Sequence, residues 1–365
     1  MEEAADLGID DHSHKRSDPE KASEEVGDDG GDAKRPREGD DDHPGAMEMD
    51  EDDGEDEGPH NPFAEDAHYR NNWIGMFGQR GKFEDPTRRP TMRNTDGPML
   101  PMYYEPTDTL EVFYVKVTRL AGGLQWPVDV YGDVAVRDSL DQMRNYLFRR
   151  GRDDCQTLTS PQDSSLELTG PSRAVLLWDD TPFEIDLKVK APGSTSPSED
   201  KVLCCYLYGY HRYGYKGKTS IAKTEVIASE TSTVEFKFGH LRVSQEATIT
   251  ARLVDGSGNF RARLTAKTAS LGEEVVLLDT RGRALQPFVG EDGAVALRRH
   301  VVVVEEHGKL ILSVEGAELG GAGAEESSDA VDTWTFVARA ALRSEGYLRV
   351  GSSRLHMVIA WSLLP

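Results

Sequence analysis

Val130 to Lys190 reads VYGDVAVRDSLDQMRNYLFRRGRDDCQTLTSPQDSSLELTGPSRAVLLWDDTPFEIDLKVK. Its last segment decides the fold class. Phe183, Ile185, Leu187 and Val189 are apolar, and Glu184, Asp186, Lys188 and Lys190 alternate with them. A period of two puts the two sets on opposite faces of a strand. One face meets a core and the other meets water, the pattern of an antiparallel sheet with one covered side. In and just before the same stretch, Asp129 to Val136, Asn145 to Arg149 and Arg173 to Trp178 read as further strands between turn-forming residues.

The same period extends outward on both sides. Leu110 to Leu120 alternates upstream. Downstream, strands are predicted at Val202 to Tyr208, Thr233 to Phe238, Ala247 to Leu253, Asn259 to Ala266, Glu274 to Leu278, Ala294 to Val304, Lys309 to Val314, Thr333 to Ala341 and Leu355 to Trp361. Asp255-Gly256-Ser257-Gly258 and Glu306-His307-Gly308 read as hairpin tips. Ala191 to Asp200 and Gly316 to Asp329 are loops by composition. No long helical period interrupts the series. The expectation is an all-β fold over residues 104–365, an antiparallel β-sandwich or barrel-like two-sheet domain around one interior.

Ahead of it the composition changes twice. Residues 61–103 are aromatic and proline-rich. Tyr69, Trp73, Met76 and Phe77 fit one face of a short helix, and docking of that helix on the following domain is favoured over a partner-binding role. Residues 1–60 hold 24 of the 65 acidic residues and 6 of the 42 basic ones, so most of the net charge of -23 lies there. With few aromatics, that segment is predicted to be a disordered acidic tail. Its field repels nucleic acid and anionic membranes and favours basic partners. Lys34, Arg35 and Arg37, in K-R-P-R, form a candidate nuclear-import signal.

Three cysteines, Cys155, Cys204 and Cys205, argue against a disulfide framework. The chain opens on an acidic run without an apolar leader, and its apolar runs are too short to span a bilayer. An intracellular protein, cytoplasmic or nuclear, is expected.

The stretch from Gly132 also resembles a plant domain of unknown function abundant in grasses. The resemblance rests on G-x-V-x-x-R-D at Gly132 to Asp138, Tyr146-Leu147-Phe148-Arg149-Arg150, Cys155-Gln156, Leu168-Thr169-Gly170-Pro171-Ser172-Arg173 and E-x-D-L-K-x-K at Glu184 to Lys190. It implies an all-β fold without an established activity. In jasmonate-induced proteins a similar domain follows a ribosome-inactivating N-glycosidase domain. The N-terminal region here is too short and too acidic for that enzyme domain, so no catalytic residue is carried over.

The candidate chemistry is sparse. Aspartates gather at turns, and Asp179 with Asp180 are the first choice if such a rim holds calcium, which takes several oxygen ligands; aspartate is also a common turn residue for local reasons. Arg144, Arg149, Arg150 and Arg152 mix with Tyr146 and Phe148, but Asp153 and Asp154 dilute their field, which argues against a nucleic-acid surface. Tyr206, Tyr208, Tyr210, Tyr213 and Tyr215 form the most unusual run. The first three share a strand face, suited either to a core edge or to a recognition surface. No nucleophile elbow, zinc-protease helix, phosphate loop or dinucleotide fingerprint occurs, and no cofactor is expected. Three readings follow: a non-enzymatic interaction module with a protein partner, stress- or defence-related by resemblance; a calcium- or ligand-binding sandwich; or an accessory domain related to translation control.

Overall fold

A computed structural model describes residues 61–97, 104–281, 288–319 and 330–364. Lys34, Arg35 and Arg37 lie outside these residues. The described residues form one α-helix and sixteen strands. The helix is α1 (Pro62–Phe77). The strands are β1 (Thr107–Leu120), β2 (Val128–Val136), β3 (Asn145–Arg150), β4 (Gln156–Leu158), β5 (Val175–Leu176), β6 (Thr181–Val189), β7 (Lys201–Tyr210) and β8 (Ile221–Ala228). Then follow β9 (Ser232–Asp255), β10 (Phe260–Thr268), β11 (Val275–Asp279), β12 (Val301–Glu305), β13 (Lys309–Glu318), β14 (Ala330–Val337), β15 (Arg343–Val350) and β16 (Ser353–Ser362).

Among the described residues all strand pairs are antiparallel and no sheet closes into a barrel. The fold class is the one that the alternation predicts. The number of sheets differs: the described residues form three, not two. One runs β15-β16-β9-β1-β5, with β8 and β12 also paired to β9. The second is β3-β2-β6-β7 with β4 on β2, and the third is β11-β10-β13-β14. Two large interiors result. Val134, Leu147, Phe183, Leu187, Phe236 and Phe238 belong to the first. Ile249, Leu264, Leu312, Leu348, Met357 and Trp361 belong to the second.

The 24-residue β9 serves both. Its first half pairs with β1 and β8, and its second half with β12 and β16. In the first half the inward residues are even-numbered (Val234, Phe236, Phe238), and in the second they are odd-numbered (Ala247, Ile249, Ala251). The register against β1 slips between Leu241 and Ser244, an extra residue that exchanges the inward and outward sets. Val243 takes φ +46° at that slip, a conformation that a β-branched residue rarely adopts.

The motif residues of the opening stretch hold the first sandwich together. Gly132 lies at φ +123°, and a Cβ there would come within 2.1 Å of the Asp186 carbonyl oxygen; at Gly170 it would meet the Tyr146 carbonyl at 1.7 Å. Only a residue without a side chain fits either place. Arg173 is wholly buried, and its two terminal nitrogens lie 2.5 and 2.8 Å from the Asp138 carboxylate. Arg137 is also buried. It binds Glu184 and donates to the Phe83 and Gln142 carbonyls at 2.7 and 2.9 Å.

Arg137 also fixes α1. Its guanidinium lies 4.2 Å from the Phe83 ring centre and 4.8 Å from that of Trp73, a buried cation–π arrangement. The Trp73 indole donates to the Gln142 carbonyl at 2.9 Å. Asn61 caps the helix by accepting from the Phe63 and Ala64 amides. Tyr69, Trp73, Phe77, Phe83 and Met143 pack together, while Met76 is exposed.

Candidate functional site

Asp108, near the start of β1, is a buried carboxylate at one end of the first sandwich. Its Oδ1 accepts the Val243 amide at 3.2 Å. Its Oδ2 is surrounded by His240 Nε2 at 3.1 Å, Arg242 Nη1 at 3.0 Å and Arg212 Nε at 3.3 Å. Burial opposes ionisation of Asp108, but His240, the Val243 amide and Arg242 outweigh it and hold its pKa below the ordinary value. The other ring nitrogen of His240 meets the Tyr210 hydroxyl at 3.0 Å. Burial in turn pushes the Tyr210 pKa upward. A Tyr210–His240–Asp108 chain thus runs from the core edge to two arginines that are partly open to solvent.

Backbone topology brings these groups together. Tyr210 ends β7 opposite Thr181, His240 lies opposite Leu110, and Arg212 is the second residue of the 211–220 connection from β7 to β8. The connection is shaped by the Tyr215 hydroxyl, which donates to the Thr219 carbonyl at 2.7 Å. The Tyr215 ring stands edge-on to His240, with centres 5.3 Å apart. The Arg242 amide donates to Ser220 Oγ at 3.1 Å.

Three large apolar side chains flank this hub in the open. Trp178 is 42% exposed, Tyr213 74% and Val243 46%. The Trp178 indole donates to Thr107 Oγ1 at 2.7 Å, which ties it to the residue before Asp108.

The five tyrosines therefore divide. Tyr206 and Tyr208 are half-buried against the first core and Tyr210 is buried in it. Tyr208 packs with Phe183, Phe236 and Phe238 and donates to Glu225 at 2.8 Å. Burial and that carboxylate raise its pKa. Tyr213 and Tyr215 belong to the exposed connection. Asp179 and Asp180 lie in the turn before β6, both exposed, with Asp180 Oδ1 2.8 Å from His211 Nδ1. Among the described residues no three His, Cys, Asp or Glu side chains are grouped to hold a metal. Asp138 and Asp141 face Arg173, and Asp133 faces Arg144. Arg144, Arg150 and Arg152 in turn bind Glu184, Glu167 and Asp200, so that basic run is largely neutralised within the fold.

Sequence reasoning reached the tyrosines but missed Asp108, Trp178, His240, Arg242 and Val243. The available signal was weak: a polar H-L-R-V-S-Q-E segment inside an otherwise alternating region, and a tryptophan before a double aspartate.

A family model described as "Domain of unknown function (DUF6598)" matches residues 109–359. The curated proteins contain no match to this chain. Among solved structures, human GIVD cytosolic phospholipase A2 aligns at 12% identity over 72% of this chain and 33% of that chain, with a TM-score of 0.21. The paired C2 domains of Extended-Synaptotagmin 2, calcium bound, align at 8% identity over 72% of this chain and 99% of that chain, with a TM-score of 0.25. The chain spans about a third of the length of that phospholipase. At such scores nothing about activity or ligands passes from either protein to this one.

Proposed function

This chain belongs to the family of the domain of unknown function DUF6598, and from that premise we propose that it is a non-enzymatic interaction module. It meets a protein partner at the end of the first sandwich that carries Trp178, Arg212, Tyr213, Arg242 and Val243. The observation that carries this reading is the composition of that end: two exposed aromatic rings and two arginines collected around one buried carboxylate. Trp, Tyr and Arg supply most strongly binding contacts at protein interfaces, and exposed apolar surface rimmed by polar groups suits such contacts.

The resemblance of Gly132 to Lys190 to a grass domain adds three finer elements to the proposal: a plant origin, a stress or defence setting, and kinship with domains that follow N-glycosidases. An intracellular location, with Lys34, Arg35 and Arg37 acting in nuclear import, belongs to the same reading. Calcium binding at Asp179 and Asp180 has less support, because Asp180 faces His211 and no third ligand stands beside them among the described residues.

The test is affinity capture from plant extract with the full chain and with a Trp178→Ala/Tyr213→Ala variant. The variant should keep its melting temperature within a few degrees, since both side chains are substantially exposed, and should lose its partners. Retention of every partner by a folded variant would remove the reading.

A further inference from the structure

The charges around Asp108 do not balance. Arg212 and Arg242 bring two positive charges to a single carboxylate, and both contact the same oxygen, Oδ2. The second oxygen is occupied by the Val243 amide. One positive charge is therefore left over, even with His240 neutral. Both side chains are partly exposed, Arg212 at 31% and Arg242 at 28%. Arg242 Nε is buried and has no hydrogen-bond partner among the described residues. A guanidinium carries five donors in a planar fork, and among the described residues each of these two meets one carboxylate oxygen. Lys216 and Lys218 lie exposed in the same connection. The nearby Asp179 and Asp180 lie exposed in the turn before β6, with Asp180 2.8 Å from His211, and Lys223 of β8 faces Glu225.

Rigidity adds to charge. Asp108 holds the two arginines from within the fold, so they need little further ordering to receive a ligand. A planar fork matches the two oxygens of a carboxylate or a phosphate better than an ammonium does.

We propose that Arg212 and Arg242 form a binding site for an oxyanion, a side-chain carboxylate or phosphate presented by a protein partner. The proposal rests on the interaction reading above and specifies the chemistry that the partner brings.

The experiment is fluorescence anisotropy with the full chain and three labelled peptides of otherwise identical Gly/Ser sequence. One carries a phosphoserine, one carries three glutamates, and one is neutral. At least one acidic peptide should bind and be displaced by inorganic phosphate, and the neutral one should not bind. Preference for the phosphoserine peptide identifies phosphate as the source, and preference for the glutamate peptide identifies carboxylate. Arg212→Gln and Arg242→Gln should each weaken binding about tenfold or more. Arg242→Lys, which keeps the charge but loses the fork, should recover only part of it. Lys218→Gln removes the same charge from the neighbouring loop and should change binding less than about twofold.

Equal losses in Lys218→Gln and Arg242→Gln would reduce the effect to diffuse attraction and overturn the site. So would unaltered binding in both arginine variants, with melting curves confirming that they are folded. If no acidic peptide binds while Trp178→Ala/Tyr213→Ala still abolishes partner capture, the oxyanion site fails and the interaction surface stands.

Discussion

Glu111 shows what one buried acid does at the junction of the two sandwiches. It comes from β1, accepts Arg299 Nη2 at 2.9 Å and accepts the Val303 amide of β12 at 2.9 Å. Burial raises its pKa from 4.5 to about 7, against the lowering influence of Arg299 and that amide. The sign of the pH dependence follows. Between 4.5 and about 7 the folded protein holds a proton that the unfolded chain has released. Stability contributed by this group is full below that window, falls as pH rises through it, and is level above it. The size is on the order of 3 kcal/mol. Melting curves from about pH 5 to about pH 7.5 should therefore show a downward drift that Glu111→Gln diminishes. Parallel profiles for the two proteins would assign the drift elsewhere. Asp108 and Asp141, whose pKa values are lowered, act in the opposite sense at lower pH. Their contribution is lost as pH falls through their folded values.

At the scale of elements, β9 is where sequence and structure part. The alternation of Thr233 to Phe238 and of Ala247 to Leu253 was legible as two separate strands. The intervening Gly239-His240-Leu241-Arg242-Val243-Ser244-Gln245-Glu246 looks like a polar connection. It is strand, because its polar side chains find partners inside the fold. His240 meets Asp108, Ser244 Oγ lies 2.7 Å from Thr109 Oγ1, and Glu246 accepts the Met92 and Ala174 amides. Those partners lie from about seventy to more than a hundred and fifty residues away in the sequence, beyond any local pattern. The same reason hid most of the candidate site. Strand β15 is not legible because Gly346 interrupts its alternation, and that glycine leaves room for Trp334, whose indole nitrogen would lie 2.6 Å from a Cβ there. By contrast β6 was readable from its alternation, although Glu184, expected to face water, is buried against Arg137 and Arg144.

The slip in β9 has a measurable energetic side. A β-branched residue in the left-handed region carries a cost of about 1–2 kcal/mol, and Val243 is such a residue. Val243→Asn should raise stability in urea unfolding by up to about 1 kcal/mol, because asparagine tolerates that conformation and the side chain is exposed. A destabilised variant would mean that Val243 contributes packing that its exposure does not reveal. Strain retained at an exposed position beside Asp108 accords with selection for a surface rather than for stability alone.

For the molecule as a whole, the question is whether two interiors unfold as one. Leu187 lies in the first and Leu312 in the second, both fully buried. Leu187→Ala and Leu312→Ala should each cost about 2–5 kcal/mol. If β9 transmits order between the sandwiches, both substitutions lower one common transition, seen alike by calorimetry and tryptophan fluorescence. Two separated transitions, each sensitive to a single substitution, would show that the shared strand does not couple them.

A strand held in common also restricts how such a chain can be divided. Many multi-sandwich chains are strung on linkers and can be cut between beads. Here the cut would pass through the middle member of a sheet, and each fragment would present raw backbone and apolar faces to water. Truncation, shuffling or fusion of this chain therefore has to treat the two interiors as a single heritable piece.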